Sequence, residues 1–188
     1  LVKTDNGTFL AYSEQVYFAA FNVFLQKFDD NGNVFSSPIT LTSNFSADEN
    51  VRKIHDIPGY GLVIVYDSES WLTGRKVKMM AVDYDGNVLD GWNGGINISD
   101  FDSNQDYLQS VTTNNGIFII WNDGRGNFPK HNNTTLPQHK EKWGTVPEVS
   151  AADLDNDGDL DIVYSRAGVL YVGTAIQIIE NLGNKKFK

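Results

Sequence analysis

The chain has 188 residues, a net charge of −9, 40% hydrophobic and 12% aromatic residues, and no cysteine. Its acidic balance disfavours nucleic acid and anionic membrane as partners, and no stretch approaches the ~20 apolar residues of a spanning helix. Without thiols, neither disulfides nor thiolate metal sites can form.

Strand-like segments recur along the chain. The first unit, about residues 5–57, carries an apolar strand from Gly7 to Tyr12 and a partner from Val23 to Phe28 that ends in Asp29-Asp30-Asn31-Gly32. A short Ile39-Thr40-Leu41 strand and an alternating run from Val51 to Ile57 complete it. The alternation predicts a half-exposed strand. Asn31-Gly32 predicts a two-residue hairpin turn with positive φ at both positions. The second unit, about 58–113, repeats the order with Gly61 to Tyr66, Val77 to Val82, Asp85-Gly86 and Ile96 to Ile98. In the third, about 114–147, Gly116 to Trp121 is followed by an irregular Asn-, Thr-, Lys- and Pro-rich stretch over 124–146 that reads as a long loop. In the fourth, about 148–188, Leu160 to Tyr164 aligns with Leu62 to Tyr66, and Ala175 to Phe187 with Val77 to Val88.

Tyr12, Tyr66, Trp121 and Tyr164 occupy one column of this repeat, whose usual period is about 55 residues. No window has helical periodicity with caps. The expected fold is all-β: one β-propeller or partial propeller over 1–188, built from four-stranded blades. About three and a half units are fewer than most closed rings contain. The chain therefore reads as a fragment, or as one whose missing blades come from another chain. The start at Leu1 without a signal peptide agrees with a processed or excised piece.

The fourth unit contains Asp153, Asp155, Asp157, Asp159 and Asp161 at every second position, with Gly158 among them. Carboxylates this close repel one another and lose hydration on packing. A hard divalent cation with oxygen ligands relieves both costs, and Ca2+ tolerates such crowding better than Mg2+. Asp153, Asp155, Asp157 and Asp161 are the expected side-chain ligands at positions one, three, five and nine. Asp159, at position seven, would offer its backbone carbonyl with its side chain turned to solvent, or bind through a water. An EF-hand loop needs a bidentate acid at position twelve, which here is Tyr164. The loop instead leads into the apolar run Ile162-Val163-Tyr164, a strand.

An Asp-rich loop feeding a strand, followed by Asn181-Leu182-Gly183-Asn184 and Phe187, resembles the FG-GAP (VCBS) repeat, closely so over about residues 148–187. That family forms calcium-loaded propeller blades in integrin α-subunits and in many secreted bacterial proteins. The resemblance implies the same division of ligands, a secreted or cell-surface location, and adhesion or ligand binding to protein or glycan partners.

Other candidates are weaker. Asp29 to Gly32 and Asp83 to Gly86 read as hairpins before metal loops, and Asp100 to Asp106 as a solvated loop. His55, His131 and His139 form no zinc set and read as surface residues. Asn6, Asn44, Asn97, Asn132 and Asn133 head glycosylation sequons, a pattern common in unmodified turns. Trp71, Arg75, Trp92 and Trp143 fall in or beside predicted loops and form the candidate ligand surface, since loop tryptophans stack on sugars. No nucleophile elbow, helical His pair or phosphate loop occurs, so an enzyme is not expected. The alternative readings are a propeller of a secreted polysaccharide lyase or hydrolase, and a structural subunit of an extracellular filament or surface layer.

Overall fold

A computed structural model describes residues 1–17, 20–98, 106–113, 116–122, 148–167, 174–183 and 186–188. The regular elements described are all strands. They are β1 (Val2–Thr4), β2 (Gly7–Tyr17), β3 (Ala20–Phe28), β4 (Ile39–Thr40), β5 (Asp48–Ile57), β6 (Gly61–Ser70), β7 (Gly74–Val82) and β8 (Ile96–Asn97). There follow β9 (Asp106–Thr113), β10 (Gly116–Asn122), β11 (Val149–Ala152), β12 (Asp161–Ala167) and β13 (Thr174–Ile179). Antiparallel pairing arranges them in four sheets, ordered β1-β2-β3-β4, β5-β6-β7-β8, β10-β9 and β11-β12-β13. The all-β expectation holds, while every described sheet is small and open, with no closure on itself. Among the described residues, no helix is long and apolar enough to cross a membrane. The chain divides into two compact units, Leu1–Ser103 and Asn104–Lys188.

In the first unit, two four-stranded sheets share one core. Phe9, Ala11, Val23 and Leu25 from the first sheet, with Leu41, meet Ile54, Leu62, Ile64, Tyr66, Met80 and Val82 from the second. Strand β6 is buried on both faces. Leu62, Ile64 and Tyr66 are 0% exposed on one, and Val63, Val65 and Asp67 no more than 4% on the other. This is why its sequence runs apolar without alternation. In the second unit the core gathers Ile120, Val149, Ile162, Tyr164 and Ile179, with Phe118 and Phe187 packed against it.

Three expectations need correction. The run before each apolar strand pairs forward: β5 hydrogen-bonds to β6 and β9 to β10, so each opens a sheet where it had been read as closing a unit. Only Pro58 to Tyr60 separate β5 from β6, and a connection that short forces consecutive strands into a hairpin.

The hairpins after β3 and β7 are three-residue loops, because Asn31 and Asp85 do not adopt positive φ. Only Gly32 (φ 82°) and Gly86 (φ 88°) do so there. Asp29 accepts Gly32 N–H on its carbonyl at 3.0 Å, and its own N–H donates to Asn33 O at 2.9 Å. Its side chain accepts the amides of Asn31 and Asn33 and the Asn33 Nδ2 at 2.8–3.1 Å. Asp83 makes the same set with Asp85 and Asn87. The Asn33 side chain, then the amides, hold the Asp29 carboxyl below its ordinary range. At Asp83 burial opposes this, yet the Asn87, Asp85 and Gly86 donors prevail and the carboxyl is again lowered.

His55, expected at the surface, is 3% exposed. A bulge between Val51 and Lys53 shifts the alternation of β5, and His55 pairs with buried Val63. His131, His139 and the 124–146 loop lie outside the described residues.

Gly7, Gly61 and Gly116 open equivalent strands with φ of 124°, 134° and 130°. At Gly61 a Cβ would also run into the carbonyl oxygen of Val82. Gly61→Ala should therefore lower unfolding stability by about 2 kcal/mol or more, read as a reduced urea midpoint. Burial, reinforced by Lys53, pushes His55 down to about 4. The folded state keeps His55 neutral while the unfolded chain protonates near its ordinary value, so stability is lost as pH falls from about 6.5 towards about 4. Between pH 6.5 and 5 the wild-type chain should lose about 2 kcal/mol more than His55→Asn, measured by urea titration.

Candidate metal centre

The Asp-rich segment joins β11 to β12, whose first residue, Asp161, pairs with Ala152 at the end of β11. Strand β12 then pairs with β13, so the segment sits at the end of a three-stranded sheet. Its backbone turns through two left-handed residues, Asn156 (φ 63°) and Gly158 (φ 93°). Asn tolerates that conformation better than most side chains do, and Gly adopts it freely.

This path brings one carboxylate oxygen each from Asp153, Asp155 and Asp161 within 4.8 Å of one another. Two oxygens bound to one Ca2+ at 2.3–2.6 Å are separated by at most about 5 Å, so the three could share an ion. Asp161 is 2% exposed and fixed by two amides, Leu154 N–H on Oδ2 at 2.9 Å and Asn181 N–H on Oδ1 at 2.8 Å. Asp153 accepts Gly158 N–H on Oδ2 at 3.1 Å, but its Oδ1 is buried with no hydrogen-bond partner. A buried anionic oxygen left in that state is costly. The donors are all carboxylate oxygens, and Asp153 carries an orphaned one, which fits a hard cation and not zinc or copper.

The field at the loop agrees. The Asp157 amide pulls the Asp155 carboxyl down, but burial and the charges of Asp157, Asp161 and Glu180 outweigh it and hold the group above its usual range. Asp155 and Asp157 are exposed, and each accepts the amide two residues on, Asp157 N–H at 3.2 Å and Asp159 N–H at 2.8 Å. Asp157 lies outside the converging trio. Asp159 is half-buried, its Oδ2 beside Gly183, whereas its side chain had been expected to turn to solvent. Glu180 and Asn181 belong to this site and escaped the sequence reading. The signal for Asn181 was the Asn-Leu-Gly-Asn run itself, whose side chains had been given no role, and Glu180 directly precedes it.

The remaining candidates do not converge. Trp71, 88% exposed, stands at the tip of the β6–β7 hairpin. Arg75, at the same end, is tied by Nη2 to Glu69 Oε2 at 2.6 Å and faces Asp67 Oδ2 with Nε at 3.4 Å. Asp67 is itself buried and also paired with Arg52. Trp92 donates from Nε1 to Tyr60 Oη at 3.0 Å, beside the opposite end of β6, and so lies roughly 30 Å along the strand from Trp71. Trp143 lies outside the described residues.

The FG-GAP-like repeat family matches residues 100–164, a span that contains the whole Asp-rich loop and the first residues of β12. No curated protein and no solved structure matches the chain. The part of the resemblance over 165–187 falls beyond the matched span. Residues 100–164 are thus an FG-GAP-like repeat, and the converging carboxylates of Asp153, Asp155 and Asp161 lie inside it.

Proposed function

We propose that this loop binds Ca2+ and that the chain belongs to a secreted or cell-surface β-propeller acting as an adhesion or ligand-binding module for protein or glycan partners. The observation that carries the calcium reading is the convergence of one carboxylate oxygen each from Asp153, Asp155 and Asp161, with an orphaned Oδ1 on Asp153 itself. The FG-GAP-like repeat supports the propeller reading, as do two complete four-stranded antiparallel sheets earlier in the chain. Further blades, from more of this chain or from other subunits, would complete the ring. The ion's role here is structural: it neutralises the turn that delivers β12 to its sheet. Ligand recognition would then fall to other surfaces of the scaffold.

Thermal unfolding followed by circular dichroism tests the calcium reading. Ca2+ at a hundredfold excess over its Kd should stabilise the Asn104–Lys188 unit by about 2.7 kcal/mol, and EDTA should reverse the shift. Asp161→Asn, which retains the shape and removes a ligand charge, should abolish it. An unfolding curve indifferent to Ca2+ would remove the calcium reading. Glycan and protein arrays probed with and without EDTA test the binding reading, which fails if no ligand is retained.

A further inference from the structure

We infer that Asn181 is a positioning residue of the cation site and couples it to the hairpin at 180–188, so that ion binding and closure of this hairpin reinforce each other. The inference rests on the calcium reading above. Asn181 spans the two parts with three bonds. Its N–H donates to Asp161 Oδ1 at 2.8 Å, its Nδ2 donates to Leu160 O at 3.2 Å, and its Oδ1 accepts Gly183 N–H at 3.1 Å. One residue thus orients a converging carboxylate, holds the carbonyl just before it and fixes the turn of the hairpin.

The repeat supplies an internal control. Asn181 bridges to Phe187 as Phe28 does to Val34 and Val82 to Val88. The hairpins share a ladder bond: Leu182 N–H donates to Lys186 O as Asp29 N–H does to Asn33 O and Asp83 N–H to Asn87 O. The described turn bond of the third differs, running from Lys186 N–H to Gly183 O where theirs run from Gly32 N–H to Asp29 O and Gly86 N–H to Asp83 O. Asn181 therefore holds the position that is apolar in both sheets whose incoming turn is a plain glycine. The position is polar only where the incoming turn is the Asp-rich loop. Packing alone would favour Phe or Val there, and the bonds to Leu160 and Gly183 explain the asparagine. The N–H that orients Asp161 belongs to the backbone, and the side-chain bonds to Leu160 and Gly183 hold it in place. Loss of such outer support for a ligating carboxylate commonly accounts for a 10- to 100-fold difference in metal affinity. Reciprocity requires that whatever the hairpin lends to the ion, the ion returns to the hairpin.

The test compares wild-type chain with Asn181→Val, the residue this position already carries at Val82, by calorimetric Ca2+ titration and by amide hydrogen exchange in Ca2+ and in EDTA. The variant should fold and unfold in EDTA at or near the wild-type temperature, yet bind Ca2+ about tenfold more weakly. In the wild type, Ca2+ should slow exchange over 180–188, and in Asn181→Val that protection should shrink. Equal Ca2+ affinity in the two proteins, or wild-type hairpin exchange unaffected by bound Ca2+, would overturn the inference while leaving the calcium reading intact. A wild-type chain that takes up no Ca2+ would overturn both.

Discussion

Four turns of this protein rest on one interaction: a side-chain oxygen accepts backbone amides where the chain must reverse. Asp29 and Asp83 do so after β3 and β7, Asn181 does so after β13, and Asp161 does so at the entrance to β12. A turn leaves N–H groups without ladder partners, and unpaired backbone donors are costly wherever water cannot reach them. A short carboxylate or amide side chain meets that need locally. With the reversals fixed, consecutive strands can pair only with each other, and the register follows. The bridges Phe28–Val34, Val82–Val88 and Asn181–Phe187 mark the same register in three sheets.

Register in turn decides burial. Because side chains alternate across a strand, a slip of one residue would exchange the two faces of β6. Both faces are apolar near its start, but further along they diverge: Tyr66 lies in the shared core while Asp67 on the other face meets Arg52 and Arg75. Asp67 is 1% exposed, and its charge is tolerable only beside those guanidiniums. A slipped β6 would leave that carboxylate in the apolar core that Tyr66 now occupies. The ion pair contributes less to net stability than to excluding the wrong register, since desolvation offsets most of its attraction.

Much of this was legible in the sequence, because apolar runs, Gly-containing turns and acidic spacing are local signals. The strands from Gly7, Gly61 and Gly116 start where the repeat places them, and the Asp-rich loop does lead into β12. What escaped depends on partners distant in sequence or on small backbone irregularities. That the second face of β6 is also covered is invisible to the periodicity of β5, and it inverted the reading of His55, which pairs with buried Val63 there. The attachment of β5 to β6 depended on a three-residue connection that repeat alignment, insensitive to phase, did not weigh. Trp71 and Trp92 shared a label as loop tryptophans, yet strand direction carries them to opposite ends of β6. Asn181 was visible as part of a motif, but its role required knowing that the chain returns to Asp161 twenty residues later.

Comparison of the turns also explains why one is suited to a cation and the others are not. Asp29 and Asp83 each receive three N–H donors, two from the backbone and one from an asparagine amide, so a single negative charge is fully solvated by the protein. In the Asp-rich loop the described bonds give Asp161 two donors and Asp153, Asp155 and Asp157 one each. More charge is thus shared among fewer donors per carboxylate, with Glu180 adding to the repulsion at Asp155. The backbone that flanks the loop is committed to the β11–β12 and β12–β13 ladders. A multivalent ion would supply positive charge without additional chain. The same turn position can therefore be a bare glycine in two sheets and an acidic cluster suited to a cation in another. On the calcium proposal, only the latter would make the stability of its sheet depend on an ion in the surrounding solution.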